Sequence, residues 1–190
     1  EYTGKNVLFM SDIRNLNVAN TYLDINDPKT WKEYDKIIRN DNDKQMRWVQ
    51  AMQPKYAFLK FRPEYSPGKI KYLSGKIYLQ PYFPRSAETR LMTNNYTDLV
   101  EYDNVEFDEK LTYFNAKIRT HVEKNEWTNI MKKHKIRNIW DNVITMYVLQ
   151  LYLDKIKKVK SQEATVKLFN DIITFMRKKY TKKYDIVYEA

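Results

Sequence analysis

The sequence reads as an α/β fold, and three patterns carry that reading. Two short apolar runs, Val7-Leu8-Phe9-Met10 and Tyr56-Ala57-Phe58-Leu59-Lys60-Phe61, have the character of buried strands of a parallel sheet. Between them, Trp31, Tyr34, Ile37 and Ile38, then Met46, Val49 and Met52, recur at helical spacing. That makes a strand–helix–strand unit, which is normally right-handed with parallel strands. Beyond residue 107 the pattern changes to long amphipathic stretches, so a helical C-terminal tail is expected.

Taken in order, residues 7–10 form the first strand and the Asn-rich segment 15–26 a loop. Asp27-Pro28 is a helix start, with Asp as N-cap and Pro at the first helical position. The polar residues 40–43 leave open whether one helix runs through or two follow each other; Gln53-Pro54 ends the segment. After the strand at 56–61 and a Pro-bounded loop at 63–67, residues 69–73 and 76–80 flank Ser74-Gly75 and read as a β-hairpin. Pro81 and Pro84 enclose a rigid turn, and 89–92 reads as a further strand. Helices are expected at about 107–122, 136–156 and 162–178, with Trp140, Tyr147, Leu151 and Phe169 as core residues. No internal repeat, low-complexity tract or linker breaks the chain, so 1–190 is read as a single domain.

Composition narrows the function. Lys and Arg number 34 against 24 Asp and Glu, a net charge of +10. Such an excess favours a polyanionic partner, nucleic acid first and an anionic membrane surface second. There is no cysteine and there are only two histidines, His121 and His134, which argues against disulfides and zinc and fits a reducing compartment. No apolar run is long enough to span a bilayer, and no signal peptide is visible. The three glycines, Gly4, Gly68 and Gly75, form no GxG pair, so the usual nucleotide-binding loop is missing. Together with an opening directly on a buried-type strand, this reads as the C-terminal part of a larger protein.

Asp12, Lys60 and Glu88 each fall at or near the end of a strand-like run. Chemistry in open α/β sheets collects at the carboxyl ends of strands, so these three are expected to converge. A lysine held by two acids can accept a proton when neutral or stabilise a forming oxyanion when charged. The other reading of Lys60 is an ordinary strand-end ion pair.

Four motifs then follow in order: Ser11-Asp12-Ile13-Arg14, Leu59-Lys60-Phe61-Arg62-Pro63, Leu79-Gln80-Pro81-Tyr82-Phe83-Pro84 and Ser86-Ala87-Glu88-Thr89-Arg90-Leu91. In these the chain resembles the poxvirus-type cap-specific mRNA 2′-O-methyltransferases, which double as the small subunit of poly(A) polymerase and belong to the FtsJ-like Rossmann methyltransferases. The resemblance covers most of the chain and is strongest over residues 7–92. It implies the C-terminal part of a Rossmann-like methyltransferase sheet, S-adenosylmethionine as cofactor and capped mRNA as substrate. A poly(A) polymerase catalytic subunit or other viral mRNA-processing proteins are the implied partners, and the host cytoplasm or the virion the implied location.

By motif, Asp12, Lys60 and Glu88 match the acid, central lysine and glutamate of the family's Lys–Asp–Lys–Glu tetrad, and Asp12 is also implied to contact the cofactor. The tetrad's first lysine, the glycine loop and the acid that holds the cofactor ribose have no counterpart, so the isolated chain is expected not to bind S-adenosylmethionine. The resemblance places Tyr65 where an aromatic stacks on the methylated guanine, and aligns Asp108 with an acid on the guanine edge. Alternatively, Tyr65 closes a loop and Asp108 favours a helix N-terminus. Arg14, Arg62, Arg85 and Arg90 are the better phosphate candidates, since guanidinium binds phosphate bidentately. The basic runs 132–135, 155–160 and 177–183 either track phosphates or are solvated helix ends. Two further readings stand beside the enzyme: a non-catalytic RNA-binding accessory subunit, and a structural virion component on a worn-out methyltransferase fold.

Overall fold

A computed structural model describes residues 6–15, 28–80 and 87–180. The Asp27 cap, the 81–86 turn with Arg85, and residues 181–183 of the last basic run lie outside the described residues. The chain divides into two compact units, Glu1–Tyr113 and Phe114–Ala190. The fold is mixed α/β, with a mixed sheet and a C-terminal helix.

The first unit is built on a four-stranded sheet of order β1-β2-β5-β4, from β1 (Leu8–Ser11), β2 (Tyr56–Lys60), β4 (Lys76–Gln80) and β5 (Glu88–Thr93). The strand–helix–strand expectation holds: β1 and β2 are parallel, joined through α1 (Pro28–Met52). β5 then inserts antiparallel between β2 and β4. A second, two-stranded sheet pairs β3 (Lys69–Leu73) antiparallel with β6 (Leu99–Asp103), and α2 (Asn104–Tyr113) follows it.

The hairpin expected around Ser74-Gly75 does not form. β3 and β4 belong to different sheets, and Ser74 N–H donates to the carbonyl of Asp98 at 2.9 Å instead. The competing partner is β6, a strand that the sequence pattern does not announce. Gly75 makes the crossing possible: a Cβ there would lie 2.5 Å from the Met92 carbonyl oxygen.

The polar residues 40–43 do not break α1, which runs unbroken for 25 residues. Asp41, Asn42 and Gln45 are buried, because this stretch faces the end of β2 and bonds to its backbone. One turn further on, Val49 joins Ala57, Leu59, Phe61, Tyr72, Leu73, Leu91 and Tyr96 in the core. Phe61 stacks on Tyr72 at 4.7 Å and meets Phe107 edge-on at 5.9 Å. Each such fully buried large side chain contributes roughly 1.5–3 kcal/mol.

Burial pushes the phenols of Tyr72, Tyr96 and Tyr102 upward. A folded-state value above the unfolded one means that the stability from the neutral phenol is complete below about pH 10 and is lost as pH rises beyond it. Alkaline melting curves should therefore fall above about pH 10, and Tyr72→Phe should flatten that fall. An unchanged alkaline slope in the variant would contradict the assignment.

The second unit is helical among the described residues. It contains α3 (Thr128–Lys133), α4 (Trp140–Tyr152) running into a π turn at Leu153–Lys157, and α5 (Gln162–Tyr180), with another π turn at Phe114–Ile118. Trp127, Met131, Val143, Met146 and Val166 form its core. Phe169 packs against that core, but Tyr147 and Leu151, expected as core residues, are 42% and 58% exposed. Their spacing fits the helix, yet the buried surface they would supply comes from Trp127 and Met131, at and within the short α3. No described helix is long and apolar enough to cross a membrane.

Candidate functional site

Strand register explains how three distant residues meet. Ser11 pairs with Leu59 in the parallel ladder, so Asp12, the next residue, is level with Lys60 at the carboxyl end of β2. β5 runs the other way and pairs Arg90 with Lys60. Glu88, two residues earlier, lies on the same face as Arg90 and just past the end of β2.

The result is a closed quartet of two acids and two bases. Lys60 Nζ is 3.0 Å from Glu88 Oε1 and 3.3 Å from Asp12 Oδ1. Arg90 Nη2 is 2.7 Å from Asp12 Oδ1 and 3.0 Å from Glu88 Oε2. Side-chain exposure grades from 5% at Arg90 through 17% at Lys60 and 20% at Glu88 to 70% at Asp12. Arg90 is thus the floor of the cluster and Asp12 its mouth, with the Lys60 ammonium between them.

The strand end that carries Lys60 is pinned from behind. Gln45 Nε2 donates to the carbonyl of Lys60 at 2.8 Å, and Asn42 Nδ2 to that of Arg62 at 2.9 Å. Thr89 Oγ1 donates to the carbonyl of Phe61 between them. Three successive carbonyls, from the last residue of β2 onward, are therefore held by side chains. Sequence reading misses these positioning residues and the place of Arg90 in the quartet. The polar stretch 41–45 inside an otherwise apolar helix face is the signal that points to them.

Among the described residues, the candidates Arg14, Arg62, Tyr65 and Asp108 gather in one neighbouring cluster. Arg62 Nη2 pairs with Asp108 Oδ1 at 2.9 Å, while its guanidinium carbon stands 3.4 Å from the centre of the Tyr65 ring. Tyr65 also meets Trp31 at a tilt, 5.1 Å between centroids, and is 39% exposed. Its loop is tied to α1, because the buried carboxylate of Asp35 accepts the N–H groups of Tyr65 and Ser66 at 2.6 and 3.1 Å. Arg14 is half-buried, and burial pushes its guanidinium below the usual arginine value, opposed by the charge of Asp41. Its Nη1 has no hydrogen-bond partner among the described residues.

Arg90, read from sequence as a phosphate ligand, is committed to two carboxylates at 5% exposure. Among the described residues no group of three His, Asp or Glu could hold a metal ion, and both histidines belong to the second unit. The chemistry within reach is that of one ammonium fixed by two carboxylates, with guanidinium groups and an aromatic face alongside. In comparisons with known proteins, no family model and no curated sequence matches this chain.

Proposed function

We propose that the chain carries the hydroxyl-activating part of a cap-specific mRNA 2′-O-ribose methyltransferase. One observation carries this reading: Asp12, Lys60 and Glu88, three residues singled out by motif, come from three strand ends and meet within 3.3 Å of a single amine. The parallel strand–helix–strand start and the position of the cluster at the carboxyl end of β2 support a Rossmann-like sheet.

In this reading Lys60 stands beside the ribose 2′-oxygen. The hydroxyl proton leaves to the neutral Lys60 amine or to solvent, and negative charge stays on that oxygen until the new O–C bond forms. A fixed ammonium stabilises that charge, and a neutral amine takes the proton. Asp12 and Glu88 hold the amine in place, and Arg90 keeps both acids paired. In this reading Arg62 leaves the Tyr65 ring and Asp108 when RNA binds, which frees an aromatic face and charged groups for a cationic base and its phosphates.

The residues present do not fit S-adenosylmethionine by themselves. Of the described glycines, Gly75 is closed off by the backbone of Met92, and Gly68 is a lone glycine in a positive-φ bend beside Asn104, so neither belongs to a glycine loop that could cradle a cofactor. In this reading the methyl donor is held by residues outside this sequence, and no step here is assigned to it. The lack of such a cradle also favours a second reading, an RNA-binding accessory subunit of an mRNA-processing complex, such as a poly(A) polymerase partner.

Binding of matched capped and uncapped RNAs tests the site. Tyr65→Leu should weaken the capped RNA by about 1–3 kcal/mol through lost stacking, while uncapped RNA binds as before. An equal loss on both RNAs would remove Tyr65 from cap selection. Methyl transfer from labelled S-adenosylmethionine to a capped transcript, measured with the complete protein, separates the enzyme from the accessory reading.

A further inference from the structure

The positive charge is not spread evenly along the chain. Residues 114–190 hold 17 Lys and Arg against 8 Asp and Glu, whereas residues 1–113 hold 17 against 16. The second unit therefore carries a net +9 of the chain's +10. The strand-end site is in the other unit, and its quartet is electrically neutral. The polyanion affinity that composition implies thus belongs to the unit that lacks the catalytic candidates.

Within the second unit, an open cavity of about 500 Å³ lies between α4 and the start of α5. Trp127, Tyr147 and Leu151 supply its apolar lining, and Glu126, Gln150, Asp154, Ser161 and Gln162 its polar groups, with Glu126 beside the Tyr147 hydroxyl. Tyr147 is 42% exposed, with its ring edge-on to Trp127 at 5.8 Å. That volume is in the range of small-ligand sites. The two carboxylates in the lining, Glu126 and Asp154, disfavour a phosphate inside but suit the amino and imino groups of a base.

The rim is basic. The π turn Leu153–Lys157 and the residues after it present Lys155, Lys157, Lys158 and Lys160, all exposed. Lys160 is also part of the cavity lining and reaches Asp154 only at 3.8 Å. Lys158 donates to the carbonyl of Lys155, and Lys157 lies 6.0 Å from the centre of the Tyr152 ring. Among the described residues, Lys155 and Lys157 have no acidic partner. Aromatic faces interleaved with unpaired lysines are what single-stranded nucleic acid uses, bases on rings and phosphates on ammonium groups.

We propose that residues 114–180 form a second, single-stranded RNA-binding site, in which the cavity takes a base against Tyr147 and Lys155, Lys157 and Lys160 take the flanking phosphates. The site requires neither a cap nor methyl transfer, so it stands or falls separately from the strand-end reading. An acidic protein surface is the competing occupant. The cavity, with an aromatic ring and hydrogen-bonding walls, favours RNA over it.

Fluorescence anisotropy with a short, uncapped, labelled single-stranded RNA, over a salt series and with the full chain, tests this. The combined variant Lys155→Gln, Lys157→Gln, Lys160→Gln should lower the slope of log affinity against log salt by about 2, at roughly 0.7 for each phosphate that is no longer neutralised. Tyr147→Leu should weaken binding roughly 5- to 150-fold with the slope unchanged. The three lysines are on the surface, so their variant keeps the test informative if Tyr147→Leu proves unstable. A folded lysine variant with wild-type affinity and slope would overturn the proposal. So would a polyglutamate peptide that competes as well as unlabelled RNA, which would mark the surface as a protein-docking face.

Discussion

Replacing Arg90 with methionine should cost the first unit about 2–4 kcal/mol and lower its melting temperature by roughly 10–20 °C. Arg90 is the most buried member of the quartet, and its Nη2 touches both acids. Removing one partner of a buried ion pair typically costs about 3–5 kcal/mol, because the remaining charge keeps its desolvation penalty. The lower figure applies here because Asp12 is 70% exposed and water can solvate it, while Glu88 at 20% cannot be relieved so easily. Lys60 still pairs with both acids in the variant, which limits the loss further. Arg90→Lys should recover only part of the stability, since an ammonium cannot reproduce the planar fork. Adding Glu88→Gln to Arg90→Met should restore some of it, the two changes being strongly non-additive. Thermal denaturation of the wild type and these three variants measures this. A melting temperature within a few degrees of wild type for Arg90→Met would mean that the quartet is a surface ion-pair network with little energetic weight.

What can be read from the sequence is what short-range pattern determines. The parallel pair β1 and β2 is legible because each strand is a short apolar run with a helix-period segment between. From that follows the convergence of Asp12 and Lys60, since the carboxyl ends of parallel strands share one edge; Glu88 joins them because β5 runs antiparallel and starts at that edge. Partner choice between strands is not legible. Ser74-Gly75 has the composition of a hairpin turn, yet β3 finds its partner in Leu99–Asp103, a run whose Glu101 and Asp103 hide it from a hydrophobicity reading. The burial of Asp41, Asn42 and Gln45 is hidden for a related reason. Polar residues inside a helix pattern read as a solvated face or a break, and only the tertiary fold shows Asn42 and Gln45 capping the open carbonyls at the end of β2. Arg90 reads by type as a phosphate-binding guanidinium. Its register opposite Lys60 turns it inward instead.

Lys60→Met should cost less stability than Arg90→Met, leaving the protein folded while removing the chemistry. The methionine keeps most of the apolar stem, and Arg90 remains to pair Asp12 and Glu88. The lost group is an ammonium whose interaction with the 2′-oxygen strengthens only as charge develops there. Loss of one such donor typically lowers turnover by about 10²–10³-fold. The ground-state hydroxyl is neutral, so substrate affinity should stay within a few-fold. The central claim is that the amine of Lys60 acts on the reacting hydroxyl, and the direct measurement is kcat and KM for methyl transfer to a capped transcript by the complete protein and its Lys60→Met variant. The expected result is a fall of at least about 10²-fold in kcat with KM nearly unchanged and a smaller drop in melting temperature than in Arg90→Met. Full turnover by the Lys60→Met variant would contradict it.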